Sequence, residues 1–568
     1  MSPVHQEVHQ GFAYDVVVVG SGAGGAMAAH TLTGAGIRVL MLEAGRHYDP
    51  VKETPMFSTA ADAPLRGAPT PDKPFGYFDA TVDGGWQVPG EPYTTAPGTE
   101  FLWWRARMLG GRTNHWGRYS LRFSPHDFKA ASRDGLGADW PMAYEDLAPW
   151  YDRTEALVGV CGNNPGMDDV PDSAPGALQP PPRPRVPELL VAAAARKLGI
   201  PVVPMRRAVL TEPLDDRQAC FWATPCGRGC SIGAAFQTTT SLLPMAEATG
   251  RLKVVTDAMV RSVALDADGR AESVTYVDRT TMKDVTLEAR VLVLAASACE
   301  TARILLNSRT EALPEGVANR SGQVGRNLMD STGANVVGHI PALENRPRYN
   351  EDGHTANHVF IPWWLHEEQA RGELDFPRGY HFEFGGGFGA PNGRMSGAES
   401  GYGAALRERI RARYGAGLRF ALRGEMVPSD ACRMEIDDKV VDRFGIPAPR
   451  FHWRWSQHEL NQVAHGQRTA RTIIETLGGT VLNADETPEE AIKKGGEIIH
   501  EVGTTRMGTT PTGSVTNEWG QCWDVPNLYV MDGGVFASNP HKNCTLTIMT
   551  LAMRNADQLA RRLGGSPA

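Results

Sequence analysis

Three of the chain's eight cysteines lie in one short segment, CFWATPCGRGC, in which Cys220, Cys226 and Cys230 are spaced C-x5-C-x3-C. Thiolates are soft ligands that bind iron–sulfur clusters or zinc. A structural zinc site needs four ligands, and no fourth Cys or His lies close in the sequence. The spacing also differs from the C-x2-C runs of ferredoxins. The residues therefore allow three interpretations: an iron–sulfur cluster, zinc or a disulfide, and thiols that bind no metal.

A second candidate site is the run GSGAGG, in which Gly20, Gly22 and Gly25 form the pattern G-x-G-x-x-G. It follows the apolar, β-branched run DVVVV and precedes the helix-like AMAAHTLTGAG, as in a dinucleotide-binding βαβ unit. In such a unit the glycines permit a tight turn, close approach of the backbone to a pyrophosphate, and close helix–strand packing. The helix N-terminus adds free N–H groups and the positive end of its dipole.

The second strand of this unit, IRVLMLEAG, carries Glu43 at its end, 23 residues after Gly20. A carboxylate at this place accepts hydrogen bonds from the ribose hydroxyls of an adenosine, and it disfavours the 2′-phosphate of NADP. The unit therefore predicts FAD or NAD, and it does not separate the two.

Length and charge limit the function classes. At 568 residues the chain exceeds one compact core, and a net charge of −8 without runs of like charge argues against nucleic acid as a main partner. The N-terminus shows no basic head followed by an apolar stretch, and the longest apolar runs fall short of the roughly 18 residues that a membrane span needs. We therefore expect a soluble, cytoplasmic protein with no membrane span of its own.

The remaining chain alternates between strand and helix patterns. Residues 251–289 alternate like antiparallel strands and lead into VLVLAASACETARILLNS, a second buried strand that enters a helix. Residues 335–480 mix α and β patterns and are rich in aromatic residues, which suit either a core or the stacking of sugar rings. The last 75 residues return to a glycine-rich strand-and-helix pattern.

Three further stretches carry a family resemblance. LGGRTNHWG at 109–117 resembles the flavin-facing loop of the glucose-methanol-choline (GMC) FAD oxidoreductases, and HEVGTTRMG at 500–508 and YVMDGGVFASNPHKNCTLTIMTLAMRNAD at 529–557 resemble that family's C-terminal motifs. VLVLAASACETARILLNS and VGRNLMDS fit the same family. The resemblance implies an FAD cofactor. It also implies an α/β fold in which a Rossmann-like FAD-binding domain (the GMC fold) carries a mixed α+β substrate-binding domain built on an antiparallel sheet.

The resemblance implies that the chain alternates between two domains in five segments. The FAD-binding domain takes its first segment from 12–160, its second, with the cysteine loop, from 216–334, and its third, with the catalytic residues, from 491–568. Residues 161–215 form a linker and a substrate-domain segment, and residues 335–490 form the substrate-binding domain.

The same resemblance assigns the chemistry. Members of this family oxidise an alcohol by hydride transfer to flavin N5 while a side chain accepts the hydroxyl proton, and His500 stands where the family carries its catalytic histidine. The alternative is a core histidine satisfied by backbone groups. Asn543 stands where the family carries a second His or an Asn, and as an amide it cannot be the base, so we expect it to orient the substrate. His541, two residues off the pattern, ranks below both.

Further residues are implied to contact the FAD. His115 resembles the histidine of the T-H-W stretch of pyranose oxidases, which is covalently tied to the flavin, but here Asn114 precedes it, so both a covalent bond and a simple contact remain open. Arg107, Arg112 and Arg118 are expected to be structural or solvent-facing. The full set of expected cofactor contacts is Gly20, Gly22, Gly25, Glu43, Gly110, Gly111, Asn114, His115, Val260, Asp532, Gly533 and Thr545.

The cysteine spacing resembles that of the catalytic subunits of bacterial membrane-linked glucose dehydrogenases in this family, where three thiolates hold a three-iron cluster. The resemblance implies that Cys220, Cys226 and Cys230 bind a [3Fe-4S] cluster that carries electrons from the flavin to a protein such as cytochrome c. Such a relay favours a dehydrogenase over an oxidase. It also implies a small partner subunit, which could carry this chain to the periplasm.

The stretches CGRGCSIGAAFQTTTSLLPMA and GGRTNHWGR resemble glucoside 3-dehydrogenases and sugar dehydrogenase large subunits. They imply FAD-dependent oxidation of a secondary hydroxyl of a sugar or glycoside, at the 3-position, to a 3-keto-glycoside. The alternatives are a sugar or sugar-acid dehydrogenase acting at another carbon, an oxygen-using glycoside oxidase, and a lyase in which the FAD is not reduced.

Overall fold

The computed structural model describes residues 14–54, 62–68, 70, 84–221, 227, 229–347, 357–388 and 401–566. Its strands are β1 (Val16–Val19), β2 (Val39–Leu42), β3 (Gly84–Gly85), β4 (Thr94–Thr95), β5 (Arg105–Ala106), β6 (Val203–Pro204), β7 (Leu252–Val255), β8 (Ala258–Leu265), β9 (Ala271–Asp278), β10 (Lys283–Glu288), β11 (Leu292–Leu294), β12 (Thr332–His339), β13 (Val359–Ile361), β14 (Tyr380–Gly385), β15 (Gly417–Gly424), β16 (Arg433–Val441), β17 (Pro447–His452), β18 (Thr480–Val481) and β19 (Leu528–Val530).

The α-helices are α1 (Ala23–Gly34), α2 (Pro50–Glu53), α3 (Pro125–Phe128), α4 (Ala130–Asp134), α5 (Tyr144–Val158), α6 (Val186–Lys197), α7 (Leu242–Ala248), α8 (Ala298–Asn307), α9 (His366–Ala370), α10 (Gly403–Arg413), α11 (Gln457–Thr476), α12 (Pro488–Ala491) and α13 (Thr545–Arg562). Short 3-10 helices lie at Pro64–Gly67, Gly111–Asn114, Thr238–Thr240, Pro341–Leu343 and Gly533–Val535.

A parallel sheet in the order β19-β11-β1-β2-β7 forms the first core. Every residue of β1, β2, β11 and β19 is buried, which explains why these strands are apolar throughout rather than alternating. Helix α1 packs against α7 and α13, and α13 also packs against α5. The predicted βαβ unit and the second buried strand are confirmed, because β1, α1, β2 and β11 form as the sequence patterns indicate.

A six-stranded antiparallel sheet in the order β18-β12-β15-β14-β13-β6 forms the second core. Helix α11 packs on β12 and β15, and α6 packs on α11 and β14. Trp363, Tyr380, Phe382 and Phe420 are buried together between the sheet and these helices. These aromatic residues of 335–480 therefore build the core, and they do not line the cavity described below.

Smaller sheets accompany these two cores. Strands β8, β9 and β10 form the antiparallel meander expected for 251–289, and β16 pairs with β17, which also runs parallel to β4. Helix α8 packs on β8, β16 and β17. The five-segment division of the chain stays a prediction. Among the described residues, no helix combines the length and apolarity needed to cross a bilayer.

Substituting Gly24 by Ala should destabilise the fold, because an added Cβ would lie 1.8 Å from the backbone oxygen of Met531. Overpacking against backbone costs about 1–3 kcal/mol, which a lowered urea midpoint and melting temperature would report. The matched control is Gly34→Ala at the end of the same helix, where nothing lies within 4 Å of the added atom. The control should be neutral or stabilise by up to about 1 kcal/mol. Equal changes in stability from the two substitutions would contradict the close packing of Gly24 against Met531.

Candidate functional site

A long cavity opens at the carboxyl ends of the parallel strands, the place where ligands bind in open α/β sheets. Its wall contains residues that follow β1, β2, β11 and β19. The cavity extends to His500 and Asn543, which are also part of the wall. The glycine turn, the loop at 109–117 and the two C-terminal motifs therefore come together around one space, although they are far apart in the sequence.

The three motif glycines have different surroundings. Gly20 has φ +100°, and a Cβ on it would lie 2.3 Å from the oxygen of Ala295. A Cβ on Gly25 would lie 2.0 Å from the oxygen of Gly20, so Gly25 packs the helix onto the strand and does not line the cavity. Gly22 lines the cavity and has nothing within 4 Å of an added Cβ. The turn is therefore tight at Gly20 and Gly25 and leaves open space at Gly22, as a pyrophosphate needs.

Glu43 lies in the cavity wall. Its Oε1 accepts a hydrogen bond from the N–H of Gly45 at 2.7 Å, and its Oε2 accepts from the N–H of Ser21 at 3.0 Å and from the Ser21 hydroxyl. The same hydroxyl accepts from the N–H of Gly110 at 2.8 Å. Glu43 thus ties the glycine turn to the loop at 109–117, which fits a place beside a ribose.

Side chains and carbonyls behind the cavity hold the loop at 109–117 in shape. Gly110 has φ +86°, and Asn114 donates from Nδ2 to the oxygen of Leu109 at 2.8 Å while its Oδ1 accepts from Thr239. Gly110 and Asn114 do not line the cavity, whereas Gly111 does. Their contribution is therefore to shape the loop.

The three arginines of this region are structural. Arg107 is buried in ion pairs with Glu91 at 2.7 Å and Glu300 at 2.8 Å. Arg112 pairs with the buried carboxylate of Glu501. Arg118 is fully buried and donates to backbone oxygens of its own loop and of Phe236. Arg107 and Arg112 also contribute to the cavity wall, and the Arg112 side chain is partly exposed there.

His115 lies in the cavity wall with a defined tautomer. Its Nε2 accepts a hydrogen bond from Trp104 Nε1 at 3.0 Å, so the proton of the neutral ring is on Nδ1. Burial, and then the charges of Arg118 and Arg112, lower the pKa of His115 to about 3. The Nδ1 atom is buried and has no hydrogen-bond partner among the described residues. A buried N–H group without a partner in the described part of the protein fits a place beside a bound polar group.

His500 also faces the cavity. Its Nδ1 lies 2.9 Å from Ser331 Oγ, and its Nε2 lies 3.5 Å from Asn543 Nδ2. An amide NH2 only donates, so Nε2 keeps its lone pair and Nδ1 carries the proton toward Ser331. Burial, and then the charge of Arg423, lower the pKa of His500 to about 3. At neutral pH this histidine is a neutral ring whose basic atom points at the cavity.

The turn before His500 is strained and is held by Asp330. Ile499 is β-branched and has φ +67°, a conformation that such residues rarely adopt. Asp330 accepts hydrogen bonds from the backbone N–H groups of Ile498 at 3.2 Å and His500 at 3.0 Å. Burial, and then the nearby Glu501, raise the pKa of Asp330 to about 7. The carboxyl group thus fixes the direction in which His500 is presented.

The other predicted flavin contacts cluster at the same end. The Asp532 carboxylate accepts from Thr301 Oγ1 at 2.6 Å and from two backbone N–H groups, and burial raises the pKa of Asp532 to about 6. Gly533, Thr545 and Val260 line the cavity as well. Thr545 begins α13, so the N-terminus of an 18-residue helix points into this space.

His541 does not belong to the cavity wall. Its Nε2 lies 3.2 Å from Asp169 Oδ1, and the Lys542 ammonium contacts the same carboxylate at 2.7 Å. Lys542 also pairs with Asp127 at 2.9 Å. His541 therefore belongs to a buried ionic cluster.

Two of the predicted cysteine ligands lie together. Cys220 and Cys230 share a small apolar cluster with Val209, Ala234 and Ala235. Cys226 lies outside the described residues, but Gly227 lines the cavity. Across the described ranges of the chain, no three His, Cys, Asp or Glu side chains are arranged to hold a metal ion.

Sequence reasoning missed several residues of this site. Trp104, Trp116 and Tyr119 line the cavity. They lie in the stretch FLWWRARMLGGRTNHWGRYSLRF at 101–123, whose richness in aromatic residues is their only sequence signal. Ser331 is the last residue of the stretch VGRNLMDS, yet its contact with His500 spans 169 residues of sequence. Glu383, which accepts from Asn543 Nδ2 at 3.2 Å, lies in the β14 segment and carries no sequence signal.

Known proteins resemble this chain over almost its whole length. Two family models, both described as GMC oxidoreductase, match residues 14–332 and 428–552. A 2-methyl-1,2-propanediol dehydrogenase of Mycolicibacterium austroafricanum is 31% identical over 96% of this chain and 95% of that protein. The fructose dehydrogenase large subunit of Gluconobacter japonicus is 28% identical over 97% of this chain and 98% of its own length.

Two further similarities bear on fold and substrate. A C-glycoside 3-oxidase of Arthrobacter globiformis is 34% identical over 132 residues, which is 23% of this chain and 24% of that protein. An FAD-dependent oxidoreductase from Chaetomium thermophilum superposes with a TM-score of 0.67 at 13% identity, over 98% of this chain and all of that one. The latter similarity confirms the fold.

Proposed function

Because the chain belongs to the GMC oxidoreductase family, we propose that it oxidises a secondary hydroxyl of a sugar or glycoside, at the 3-position, to a ketone. Family membership makes the chain an FAD-dependent oxidoreductase that acts on CH–OH groups. Bound FAD supplies the two-electron acceptor for the hydride that leaves the carbon. The observation that carries the proposal is the neutral His500, whose basic Nε2 atom faces the cavity beside Asn543.

We assign His500 the role of general base. Its Nε2 lone pair takes the hydroxyl proton, while Ser331 holds the opposite ring nitrogen and Asp330 holds the backbone. Asn543 orients the substrate oxygen by donating from Nδ2. The carbon then loses its hydride and becomes a carbonyl, so the substrate gives up two electrons and two hydrogens in all.

We assign cofactor binding to the cavity wall. The open space at Gly22, the free Nδ1–H of His115 and the α13 N-terminus support this assignment, since each offers room or a donor to a bound dinucleotide. Gly25, Gly110 and Asn114 support the cofactor indirectly by shaping the turn and the loop. The residues assigned to direct contact are Gly20, Gly22, Glu43, Gly111, His115, Val260, Asp532, Gly533 and Thr545.

A sugar substrate is supported from two sides. Among the relatives are a fructose dehydrogenase and a C-glycoside 3-oxidase, and the latter motivates the 3-position. In the cavity, Trp104, Trp116 and Tyr119 offer aromatic surface beside polar groups, which suits a ring with apolar faces and hydroxylated edges. Oxidation at another carbon, and oxygen as the electron acceptor, are the alternatives that the experiment below separates.

For the electrons we propose a relay through Cys220, Cys226 and Cys230. A [3Fe-4S] cluster on these thiolates supplies one-electron transfer to a protein acceptor such as cytochrome c. Cys220 and Cys230 share a small apolar side-chain cluster, and Gly227 lines the cavity. Both observations support a cysteine loop next to the cofactor. The fructose dehydrogenase relative is named as a large subunit, which supports a small partner subunit. Export with such a partner to the periplasm is the alternative to a cytoplasmic location.

Anaerobic mixing of the holoenzyme with methyl β-D-glucopyranoside should bleach the flavin absorbance, and NMR of the product should show a ketone at C3.

His500→Ala should keep its FAD, but the rate of bleaching should fall by about 10²–10⁴-fold, because general-base catalysis is removed. The matched control is His452→Ala. His452 lies on β17 and pairs with Glu435 of β16. Bleaching that survives in His500→Ala would contradict the assigned base. Peroxide formation in air would favour the oxidase, and product formation without any bleaching would favour a lyase.

Anaerobically purified protein should contain iron and sulfide in a ratio near 3:4 and show a low-temperature EPR signal when oxidised. Cys230→Ser should lose the iron and the reduction of cytochrome c, yet keep FAD and anaerobic bleaching. Cys432→Ser is the control, because Cys432 is a buried thiol outside the loop that bonds the oxygen of Arg454. Wild-type protein without iron would overturn the relay.

A further inference from the structure

We propose that Glu383 is a positioning residue, which fixes the Asn543 amide so that an N–H group, and not the carbonyl, faces the reacting oxygen of the substrate. The inference rests on the proposed function, because it assigns a further residue to the same site. It concerns a side chain that lies behind the cavity wall and does not line it.

Glu383 lies on β14, an interior strand of the antiparallel sheet, where it pairs with Ala421 and Phe360 of the neighbouring strands. Its neighbours Phe382 and Phe384 belong to the aromatic core. Because side chains alternate along a strand, Glu383 projects from the opposite face, together with His381. A carboxylate in the middle of an apolar sheet is costly unless it is paired, so its partners are informative.

Three polar groups surround this carboxylate. Its Oε1 accepts from Asn543 Nδ2 at 3.2 Å and lies 3.6 Å from His381 Nε2, and its Oε2 lies 3.5 Å from the Arg423 guanidinium. Burial opposes ionisation, but the charge of Arg423 and the hydrogen bonds outweigh it and lower the pKa of Glu383 to about 2. The group is therefore ionised at neutral pH, and an ionised carboxylate can only accept hydrogen bonds.

This acceptor-only group decides which end of the amide it meets. Only the NH2 end of Asn543 can face Glu383, because the alternative orientation would set two oxygens against each other. The second hydrogen of the same Nδ2 atom points toward His500 Nε2, which is 3.5 Å away, and a substrate hydroxyl that reaches this base must therefore sit beside that hydrogen. The amide oxygen, in contrast, is buried without a partner among the described residues. The orientation is therefore enforced from the nitrogen side, by Glu383.

The orientation matters when the proton leaves. As His500 takes the hydroxyl proton, negative charge develops on the substrate oxygen, and a fixed N–H donor next to it stabilises that charge. A carbonyl in the same place would repel it. Removal of one such donor elsewhere lowers the rate of the chemical step by about 10²–10³-fold.

The test is Glu383→Gln in the holoenzyme, because a glutamine can accept or donate and no longer enforces one orientation. We expect the limiting rate of anaerobic flavin reduction by methyl β-D-glucopyranoside to fall about 10²-fold. The substrate concentration that gives half the limiting rate should change little. The matched control is Glu425→Gln. Glu425 is a buried carboxylate that pairs with Arg378 at 2.7 Å and makes no hydrogen bond with Asn543. FAD content and melting temperature should be alike in the two variants.

A double-substitution cycle separates positioning from a merely structural role. In an Asn543→Ala background, Glu383→Gln should cause no further loss of rate, since no amide remains to orient. A full additional loss in that background, or an unchanged rate in the single variant, would overturn the inference.

Neutron diffraction from deuterium-exchanged holoenzyme crystals tests the inference without any substrate. It should place the deuterated Asn543 nitrogen against Glu383, and the oxygen in that place would overturn the inference. If no sugar bleaches the wild-type flavin, the proposed substrate fails, while the neutron result still decides the amide orientation.

Discussion

The site depends on how closely three stretches of backbone approach one another at the start of α1. Side chains at Gly20 and Gly24 would collide with the carbonyls of Ala295 and Met531, which follow β11 and β19. Only glycine lets the turn after β1 lie against both loops. This contact brings Asp532 beside the glycine turn. The chain runs on from Asp532 to Asn543. The position of Asp532 therefore also limits how far Asn543 lies from the cofactor end of the cavity.

The proposed reacting pair, His500 and Asn543, is positioned by carboxyl groups that do not line the cavity. Asp330 holds the strained turn that presents His500, and Glu383 holds the amide of Asn543. Burial keeps His500 neutral, which is the form that a base requires. Each carboxyl group therefore acts on geometry, and the chemistry is left to a neutral ring and an amide. This division explains why buried acids are numerous around a cavity whose proposed base is a histidine.

Local patterns predicted much of the fold and the cofactor end of the site. The turn at Gly20–Gly25, the strand that ends in Glu43 and the motif at His500 are each encoded within about ten residues. The sequence could not reveal Glu383 or Ser331, because their contacts depend on how the antiparallel sheet docks near the parallel one. The aromatic residues of 335–480 were ambiguous for the same reason. Trp363 and Phe382 prove to be core, whereas Trp104 and Trp116 line the cavity.

The claim at the centre of this account is that a C–H bond at C3 of a sugar ring breaks as its hydride leaves for the flavin. It is tested most directly by anaerobic stopped-flow reduction with methyl β-D-glucopyranoside carrying deuterium at C3, compared with the same glycoside carrying deuterium at C2. The account predicts that deuterium at C3 slows the bleaching of the flavin and that deuterium at C2 leaves it unchanged. Slowing by deuterium at C2 alone, or no slowing by either, would contradict it.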